Sequence, residues 1–318
     1  MSKGYITKLS ENVERTHVRF NNRYGMAIAG DLYTAKNIDK TRKYPAIIVG
    51  APYGGVKEQG PCVYANNLAQ RGFVVLTFDQ VFMGESSGEP RNVSDPSLFA
   101  ESFSACTDYL GVKVPYVDRE KIGVIGICGS GGFALSAASV DTRIKAVVTT
   151  SMYDITDSRG MMSLSKEDLD KMKDKLTQQI WIDFENGYPE YIPSFPEEPY
   201  KHENSLPKTD LITNEWNRFY ATPRGHHPNA RGGFTTTSDL SMLQFSALNY
   251  IEEISPRPIL FIVGDKAHSK SFSEKAYNKA LEPKELYVVN DAEHIDLYDK
   301  TDKIPFAKIE EFFKTNLK

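Results

Sequence analysis

Two nucleophilic side chains, Cys128 and Ser130, lie two residues apart in the stretch KIGVIGICGSGGFAL, residues 121–135. An apolar run ends there in a glycine-rich segment, and apolar residues then resume. A strand that ends in a tight Gly-x-nucleophile-x-Gly turn before a helix exposes its nucleophile and directs the next backbone N–H at a developing oxyanion. The pattern therefore indicates covalent catalysis at a carbonyl group.

The turn fits two registers, GICGS at residues 126–130 with Cys128 at the apex, or CGSGG at residues 128–132 with Ser130 there. The second register would place Cys128 and Gly129 in the end of the strand and weaken it. We therefore predict Cys128 as the nucleophile and Ser130 as a small neighbour in the substrate-binding site. A serine hydrolase or peptidase that uses Ser130 is the alternative, and an inert buried cysteine in a glycine-rich turn is the non-catalytic one.

A second loop, GAPYGG at residues 50–55, directly follows the apolar run YPAIIV. A loop in this place supplies the second N–H of an oxyanion hole. Because Pro52 has no N–H, the amide of Tyr53 is the best candidate, with Gly54 next and the Tyr53 hydroxyl as a substitute. We predict that the N–H groups of Tyr53 and Gly129 form the oxyanion hole.

A general base is predicted at His294, in the stretch VVNDAEHIDLYD, because it follows the last predicted strand and comes after the nucleophile in the chain. The usual position of the orienting acid is occupied by Ala267. Asp265 lies two residues before it, and Asp154 ends the preceding predicted strand. Both aspartates are candidates for the acid, with Asp154 preferred.

The elements that must position these residues alternate between apolar strands and helices. The segments YPAIIVG, GFVVLTFD, KIGVIGI, IKAVVTTS, RPILFIVG and KELYVVN are predicted strands, and an antiparallel hairpin is predicted before them. Strands that are apolar throughout and alternate with helices indicate a parallel sheet covered on both faces. The fold class is therefore predicted as α/β, with a mostly parallel central sheet and helices on both faces.

The alternation stops after the sixth predicted strand, and residues 155–234 are predicted to form a helical cap, or lid, over the sheet. Residues 1–154 and 235–318 then form the core domain. In the cap, Arg224 and His226 are candidates for substrate binding, although Arg224 could instead join the cap to the body by a salt bridge. The aromatic residues of the cap could line a pocket or form the core of the cap itself (Trp181, Phe184, Tyr188, Tyr191 and Phe195).

Composition excludes several classes of function. The net charge of −4 in 318 residues comes from interspersed charges of both signs, which argues against nucleic-acid and membrane partners. Neither a signal peptide nor a transmembrane helix is expected. The three cysteines are too few for a disulfide framework and fit a reducing cytoplasm. No Cys/His cluster has zinc-site spacing, and we expect neither metal nor cofactor. The expected partner is a small acyl substrate, and a homodimer is compatible with the sequence.

From about Tyr44 to the C-terminus the chain resembles the α/β-hydrolase superfamily, in its dienelactone-hydrolase-like branch, which is related to fungal thiohydrolases and polyketide transferases. The resemblance lies in APYGGVKEQ, TFDQVFMGESSGEPR, DREKIGVIGICGSGGFALSAASVDTRIKAVVTTS, FYATPRGHHP and EPKELYVVNDAEHIDLYD. It implies Cys128 as nucleophile, His294 as base, and Tyr53 and Gly129 as oxyanion donors. The chain departs from the pattern at Ala51, where relatives often have histidine.

The function expected on these grounds is hydrolysis of a carboxylic ester, thioester or lactone through an acyl-enzyme on Cys128. An acyltransferase with the same site is an alternative, and so is the serine hydrolase described above. A degenerate fold that only binds ligands is the non-enzymatic alternative, for which the alanine at position 267 is the main argument.

Overall fold

The computed structural model describes residues 4–157 and 164–318. Within these residues one sheet of eight strands forms the centre of the molecule. The strands are β1 (Val13–Asn21), β2 (Ala27–Ala35), β3 (Tyr44–Gly50), β4 (Val74–Phe78), β5 (Val117–Ile127), β6 (Ile144–Thr150), β7 (Ile259–Gly264) and β8 (Lys284–Val289). Their order across the sheet is β1-β2-β4-β3-β5-β6-β7-β8.

The helices that follow the strands are named in chain order. They are α1 (Gly60–Ala69), α2 (Pro96–Lys113), α3 (Ser130–Val140), α4 (Lys166–Asn186), α5 (Leu211–Tyr220), α6 (Ser238–Gln244), α7 (Lys270–Lys279), α8 (Asp296–Asp299) and α9 (Phe306–Asn316). Short 3₁₀ segments lie at Glu203–Ser205 and Ile251–Ile254.

The sheet is antiparallel only at one edge, where β1 pairs with β2 and β2 pairs with β4. In the rest of the sheet, β4-β3-β5-β6-β7-β8, every adjacent pair of strands is parallel. Both β4 and β7 are buried at every position, whereas the edge strands β1 and β8 are mostly half-buried or exposed. Central parallel strands are apolar throughout because helices cover both of their faces. The predicted architecture of the sheet is confirmed.

An apolar core lies on each face of the sheet. Helices α2 and α3 pack on one face, where Phe103 and Phe133 are buried. Helices α1 and α9 pack on the other face, where the rings of Phe73 and Phe313 meet at 6.2 Å. These two layers hold the parallel strands in register, so that the loops at their carboxyl ends meet along one edge.

Between β6 and β7 the chain leaves the sheet and forms α4 and α5. Residues 158–163 of the predicted cap lie outside the described residues, and the division of the chain into a core and a cap stays a prediction. Helix α5 lies beside the edge where the carboxyl ends of the strands meet, since Glu215 on this helix bonds to the backbone after His294. In the described part of the chain, no helix is long and apolar enough to cross a membrane.

Candidate active site

Cys128 occupies the turn between β5 and α3, with a backbone φ of 55°. This is the left-handed region, which costs free energy for a residue with a side chain and persists only where the surroundings enforce it. Backbone hydrogen bonds of Cys128 enforce this conformation. The N–H of Cys128 donates to the carbonyl of Thr150 at 2.9 Å, and its own carbonyl accepts from Gly131 and Tyr153 at 2.9 Å. The turn therefore holds the thiol at a fixed position at the carboxyl end of β5.

The glycines beside the cysteine are required by close approach of the backbone. A Cβ on Gly126 would lie 2.3 Å from the carbonyl oxygen of Ser130. A Cβ on Gly129 would lie 2.8 Å from the Cβ of Tyr53. Because Gly129 has no side chain, the loop that carries Tyr53 can pack directly against the turn.

Burial raises the pKa of the Cys128 thiol. Hydrogen bonding to the thiolate form from the hydroxyl of Tyr298 and from the backbone N–H groups of Gly129 and Tyr53 acts in the opposite direction, without cancelling the effect of burial. The thiol therefore rests protonated near neutral pH, in a site that is built to accept negative charge.

The hydroxyl of Ser130 binds a backbone carbonyl of the loop after β3. It is buried, and its hydroxyl donates to the carbonyl of Ala51 at 2.5 Å. It begins α3 and does not line the cavity that reaches Cys128. The predicted place of Ser130 in a substrate-binding site is therefore not found. Instead, its hydroxyl fixes the loop after β3, which carries the Tyr53 amide.

His294 is fully buried, and a hydroxyl occupies each of its ring nitrogens. Its Nε2 lies 2.9 Å from the hydroxyl of Tyr298, and its Nδ1 lies 2.6 Å from the hydroxyl of Ser269. Burial, and then the proximity of His268, lower the pKa of the imidazole well below its ordinary value. The imidazole is therefore neutral and able to accept a proton. In place of the direct thiol–imidazole hydrogen bond of a simple dyad, Nε2 contacts Tyr298, which lines the same cavity as Cys128.

Neither predicted acid reaches the imidazole. The carboxylate of Asp154 accepts from the N–H and hydroxyl of Thr156 at 3.0 and 2.6 Å. The carboxylate of Asp265 accepts from the N–H of Ala292 at 3.3 Å. Asp154 thus stabilises the turn after β6, and Asp265 joins the loop after β7 to the loop after β8. The sequence placed both at the correct edge of the sheet, but local backbone donors, rather than the imidazole, satisfy their carboxylates.

A second histidine and a glutamate form a pair beside His294. The ring of His268 lies 4.7 Å from that of His294, and its Nδ1 lies 2.9 Å from Glu215. Glu215 is buried and also accepts the N–H of Ile295 at 2.9 Å. Burial alone would raise the pKa of Glu215, but its bonds to His268 and the Ile295 amide outweigh burial and lower it. Glu215 therefore carries a negative charge near the imidazole of His294, and His268 contacts both side chains.

Arg224 joins the segment after α5 to the body of the molecule. Its guanidinium contacts the carboxylate of Asp299 at 2.7 and 2.9 Å and the carbonyl of Ile295 at 3.2 Å. The ring of His226 contacts the carbonyl of Pro196 at 3.1 Å. Neither side chain lines the cavity at Cys128. The predicted substrate-binding role of both residues is therefore not supported, since their polar atoms already bind protein groups.

A cavity of about 750 Å³ opens onto Cys128. Most of its wall is apolar or aromatic and includes Tyr153, Ile155, Trp216, Tyr220 and Phe234. Of the aromatic residues considered for a pocket, Phe195 lines the cavity, whereas Trp181, Phe184 and Tyr188 are exposed to solvent. Small-molecule sites are concave and mostly apolar with a few polar groups, and this cavity fits that description.

The sequence did not predict that Tyr298, Ser269 and Glu215 belong to the candidate site. Tyr298 lies on α8, four residues after His294, and the two side chains meet at 2.9 Å. That spacing is visible in EHIDLYD. Ser269 directly follows His268 in the loop after β7. Glu215 lies about eighty residues before His294 in the chain, so no local pattern points to it. No group of three or more His, Cys, Asp or Glu side chains in residues 4–157 and 164–318 could hold a metal ion.

Comparison with known proteins gives the family. A model of the alpha/beta hydrolase fold matches residues 50–301. The uncharacterized protein PA2218 of Pseudomonas aeruginosa is 48% identical over 315 residues, covering 97% of this chain and 82% of that protein. Its crystal structure matches with a TM-score of 0.91 at 46% identity, covering 98% of this chain and 96% of that chain.

Two less similar proteins also match most of the chain. The uncharacterized protein YcjY of Escherichia coli K12 is 33% identical over 278 residues, covering 86% of this chain and 89% of that protein. Thiohydrolase aneE of Aspergillus aculeatus is 25% identical over 265 residues, covering 82% of this chain and 80% of that protein. The chain therefore belongs to the α/β-hydrolase family, and it is an enzyme of the hydrolase type.

Proposed function

We propose that the protein hydrolyses a carboxylic ester, thioester or lactone with an apolar acyl group, through an acyl-enzyme on Cys128. The observation that carries the proposal is the position of Cys128, in a left-handed turn at the wall of an apolar cavity, with Tyr53 packed against Gly129. Hydrogen bonding from the Gly129 and Tyr53 N–H groups favours the thiolate form of Cys128. Two amides that can bind a thiolate can also bind the oxyanion on a carbon attached to that sulfur. The name of the relative aneE, a thiohydrolase, agrees with this reaction class.

In the first half of the reaction the sulfur attacks the substrate carbonyl carbon while the thiol proton passes to His294. The carbonyl oxygen becomes an oxyanion, which the two amides stabilise by about 3 kcal/mol each. When the intermediate collapses, the bond to the leaving group breaks and that group takes the proton from His294. The acyl group is then held as a thioester on Cys128.

In the second half a proton passes from water to His294 as the water oxygen attacks the thioester carbonyl. Collapse of the second oxyanion breaks the bond to sulfur, the carboxylic acid leaves, and Cys128 recovers its proton from His294. The apolar cavity supports an apolar acyl group, because burying a hydrocarbon chain against Trp216 and Phe234 releases water from both surfaces.

The test is hydrolysis of a short-chain p-nitrophenyl ester by purified variants. Cys128→Ala should lower kcat/KM at least about 10³-fold, since it removes the atom that bonds to the substrate. Cys106→Ala is the matched control, because Cys106 is another buried cysteine, on α2 and far from the cavity, and its variant should retain activity.

Ser130→Ala separates this proposal from a serine hydrolase. It removes the hydroxyl that binds the Ala51 carbonyl and should reduce activity only modestly. Full activity of Cys128→Ala together with an inactive Ser130→Ala would contradict the proposal. An added alcohol that receives the acyl group in preference to water would instead assign acyl transfer to the same site.

A further inference from the structure

Both ring nitrogens of His294 are occupied by hydroxyl groups, so the imidazole has no free nitrogen for the sulfur of Cys128. Ser269 holds Nδ1 at 2.6 Å and Tyr298 holds Nε2 at 2.9 Å. Tyr298 and Cys128 line the same cavity, and hydrogen bonding from the Tyr298 hydroxyl lowers the pKa of the thiol. A proton that leaves the thiol for the imidazole therefore meets the tyrosine oxygen first.

We propose that Tyr298 is a catalytic residue that relays the proton between Cys128 and His294. The inference rests on the proposed function. In the resting chain the imidazole carries its proton on Nδ1 and directs it at Ser269, which leaves Nε2 as an acceptor. The thiol then donates to the tyrosine oxygen, and the tyrosine O–H donates to Nε2.

In the transfer step the S–H bond breaks and its proton bonds to the Tyr298 oxygen, while the original tyrosine proton moves to Nε2. The products are a thiolate, a neutral tyrosine and an imidazolium, so charge and atoms balance. The re-formed tyrosine O–H then donates to the thiolate. Burial raises the pKa of Tyr298 well above its ordinary value, so the hydroxyl does not hold negative charge between the two movements.

The surroundings fix the tyrosine for this role. Tyr298 is buried on α8, one helical turn after His294, and its ring packs edge-on against Phe219 with centroids 5.1 Å apart. Tyr153 and Tyr220 also line the cavity at Cys128, and the charge of Glu215 raises the pKa of the thiol. Among these side chains, Tyr298 is the one whose hydroxyl bonds to a ring nitrogen of His294.

The test is the rate of Cys128 alkylation by iodoacetamide as a function of pH, with the labelled cysteine identified by peptide mass spectrometry. Cys128 lines the cavity, which gives the reagent access to it, whereas Cys62 and Cys106 do not line the cavity. In Tyr298→Phe the thiolate loses a donor, so alkylation at pH 7.5 should slow about tenfold and its pH midpoint should move up by about one unit. Ester hydrolysis should fall in parallel.

Tyr64→Phe is the matched control. It removes another buried tyrosine hydroxyl, one that donates to the carbonyl of Leu297 at 2.6 Å, directly before Tyr298. Its alkylation profile should match that of the unaltered protein. An unchanged or faster alkylation of Tyr298→Phe would overturn the relay, because a tyrosine that only fills space would not change the thiolate fraction.

A second variant keeps the test decisive if Tyr298→Phe does not fold. His294→Gln leaves Tyr298 in place, and the relay predicts that it shifts the alkylation profile in the same direction although the imidazole does not touch sulfur. Where both single variants fold, the double variant should be no slower than the slower single variant. An unchanged profile in His294→Gln would reject the relay. Failure of Cys128 to label in the unaltered protein would instead contradict the proposed nucleophile.

Discussion

At the scale of single residues, the partners of Cys128 and His294 determine the charge state of the site. Burial raises the pKa of the thiol, and burial together with His268 lowers that of the imidazole. Both shifts favour a neutral thiol beside a neutral imidazole over a thiolate–imidazolium pair. A serine hydroxyl at Nδ1 in place of a carboxylate acts in the same direction, because it gives the imidazolium no opposite charge in direct contact.

This resting state predicts a broad pH–rate profile. A base whose pKa lies well below 6.5 stays unprotonated as the pH falls, so kcat/KM for a neutral ester should keep its plateau below pH 6.5. The decline at high pH should lie above pH 9, since the thiol pKa is raised. Initial rates from pH 5 to pH 10 check this, with folding at each pH followed by circular dichroism. An acid limb centred at or above pH 6.5 would contradict it.

At the scale of elements, α5 and the residues after it are attached to the loop that carries His294. Glu215 accepts the N–H of Ile295, and Arg218 contacts Glu293 at 2.8 Å. Arg224 binds Asp299 one turn further along. From the other side, the hydroxyl of Ser151 donates to the carbonyl of His294 at 2.8 Å. The imidazole is thus positioned by contacts from α5 as well as from the sheet.

Glu215→Gln tests this attachment. A glutamine can still accept the N–H of Ile295, but its uncharged amide loses the charge-assisted bond with His268. We expect a loss of about 1.5–3 kcal/mol in the free energy of unfolding by urea, with a lower kcat and little change in KM. Glu293→Gln is the control, because its ion pair with Arg218 is partly exposed and should contribute at most about 1 kcal/mol. Equal effects of the two variants would contradict the assignment.

The sequence predicted the elements better than it predicted their contacts. Apolar strands and a glycine-rich turn are local patterns, and they placed Cys128, Gly129 and His294 correctly along the sheet edge. The partners of His294 depend on which rotamers meet after folding. Asp154 accepts a hydrogen bond from Thr156, two residues away. Glu215 lies on a helix that is distant in the sequence, and it accepts the N–H of Ile295. The exposed Trp181 and Phe184 on α4 also could not be predicted, because apolar side chains there carry no signal of which face packs.

At the scale of the whole molecule, a largely buried ion cluster joins the loops after β3 and β4. The ammonium of Lys57 is completely buried and contacts Glu58, Asp79 and Glu85 at 2.6, 3.0 and 2.7 Å. The N–H of Lys57 also donates to Asp79 at 2.8 Å. Lys57 follows Tyr53 by four residues, so the position of the donor loop depends on this cluster.

Lys57→Met should therefore be one of the most destabilising single substitutions in the chain. It leaves the carboxylates of Asp79 and Glu58 buried without their cation, which costs about 3–5 kcal/mol when one partner of a buried pair is removed. Urea unfolding measures this loss. Lys166→Met is the control, because its i,i+4 pair with Asp170 is exposed on α4 and should contribute at most about 0.5 kcal/mol.

The pH dependence of this variant distinguishes loss of charge pairing from loss of packing. Burial raises the pKa of Glu58 to about 7 against the attraction of Lys57, so without Lys57 this pKa rises further. A carboxyl whose folded pKa is raised adds stability below the unfolded pKa and loses it as the pH rises through the folded value. The destabilisation of Lys57→Met relative to the unaltered protein should therefore be smaller at pH 5 than at pH 8. An equal loss at the two pH values would indicate that the methylene stem of Lys57 matters more than its charge.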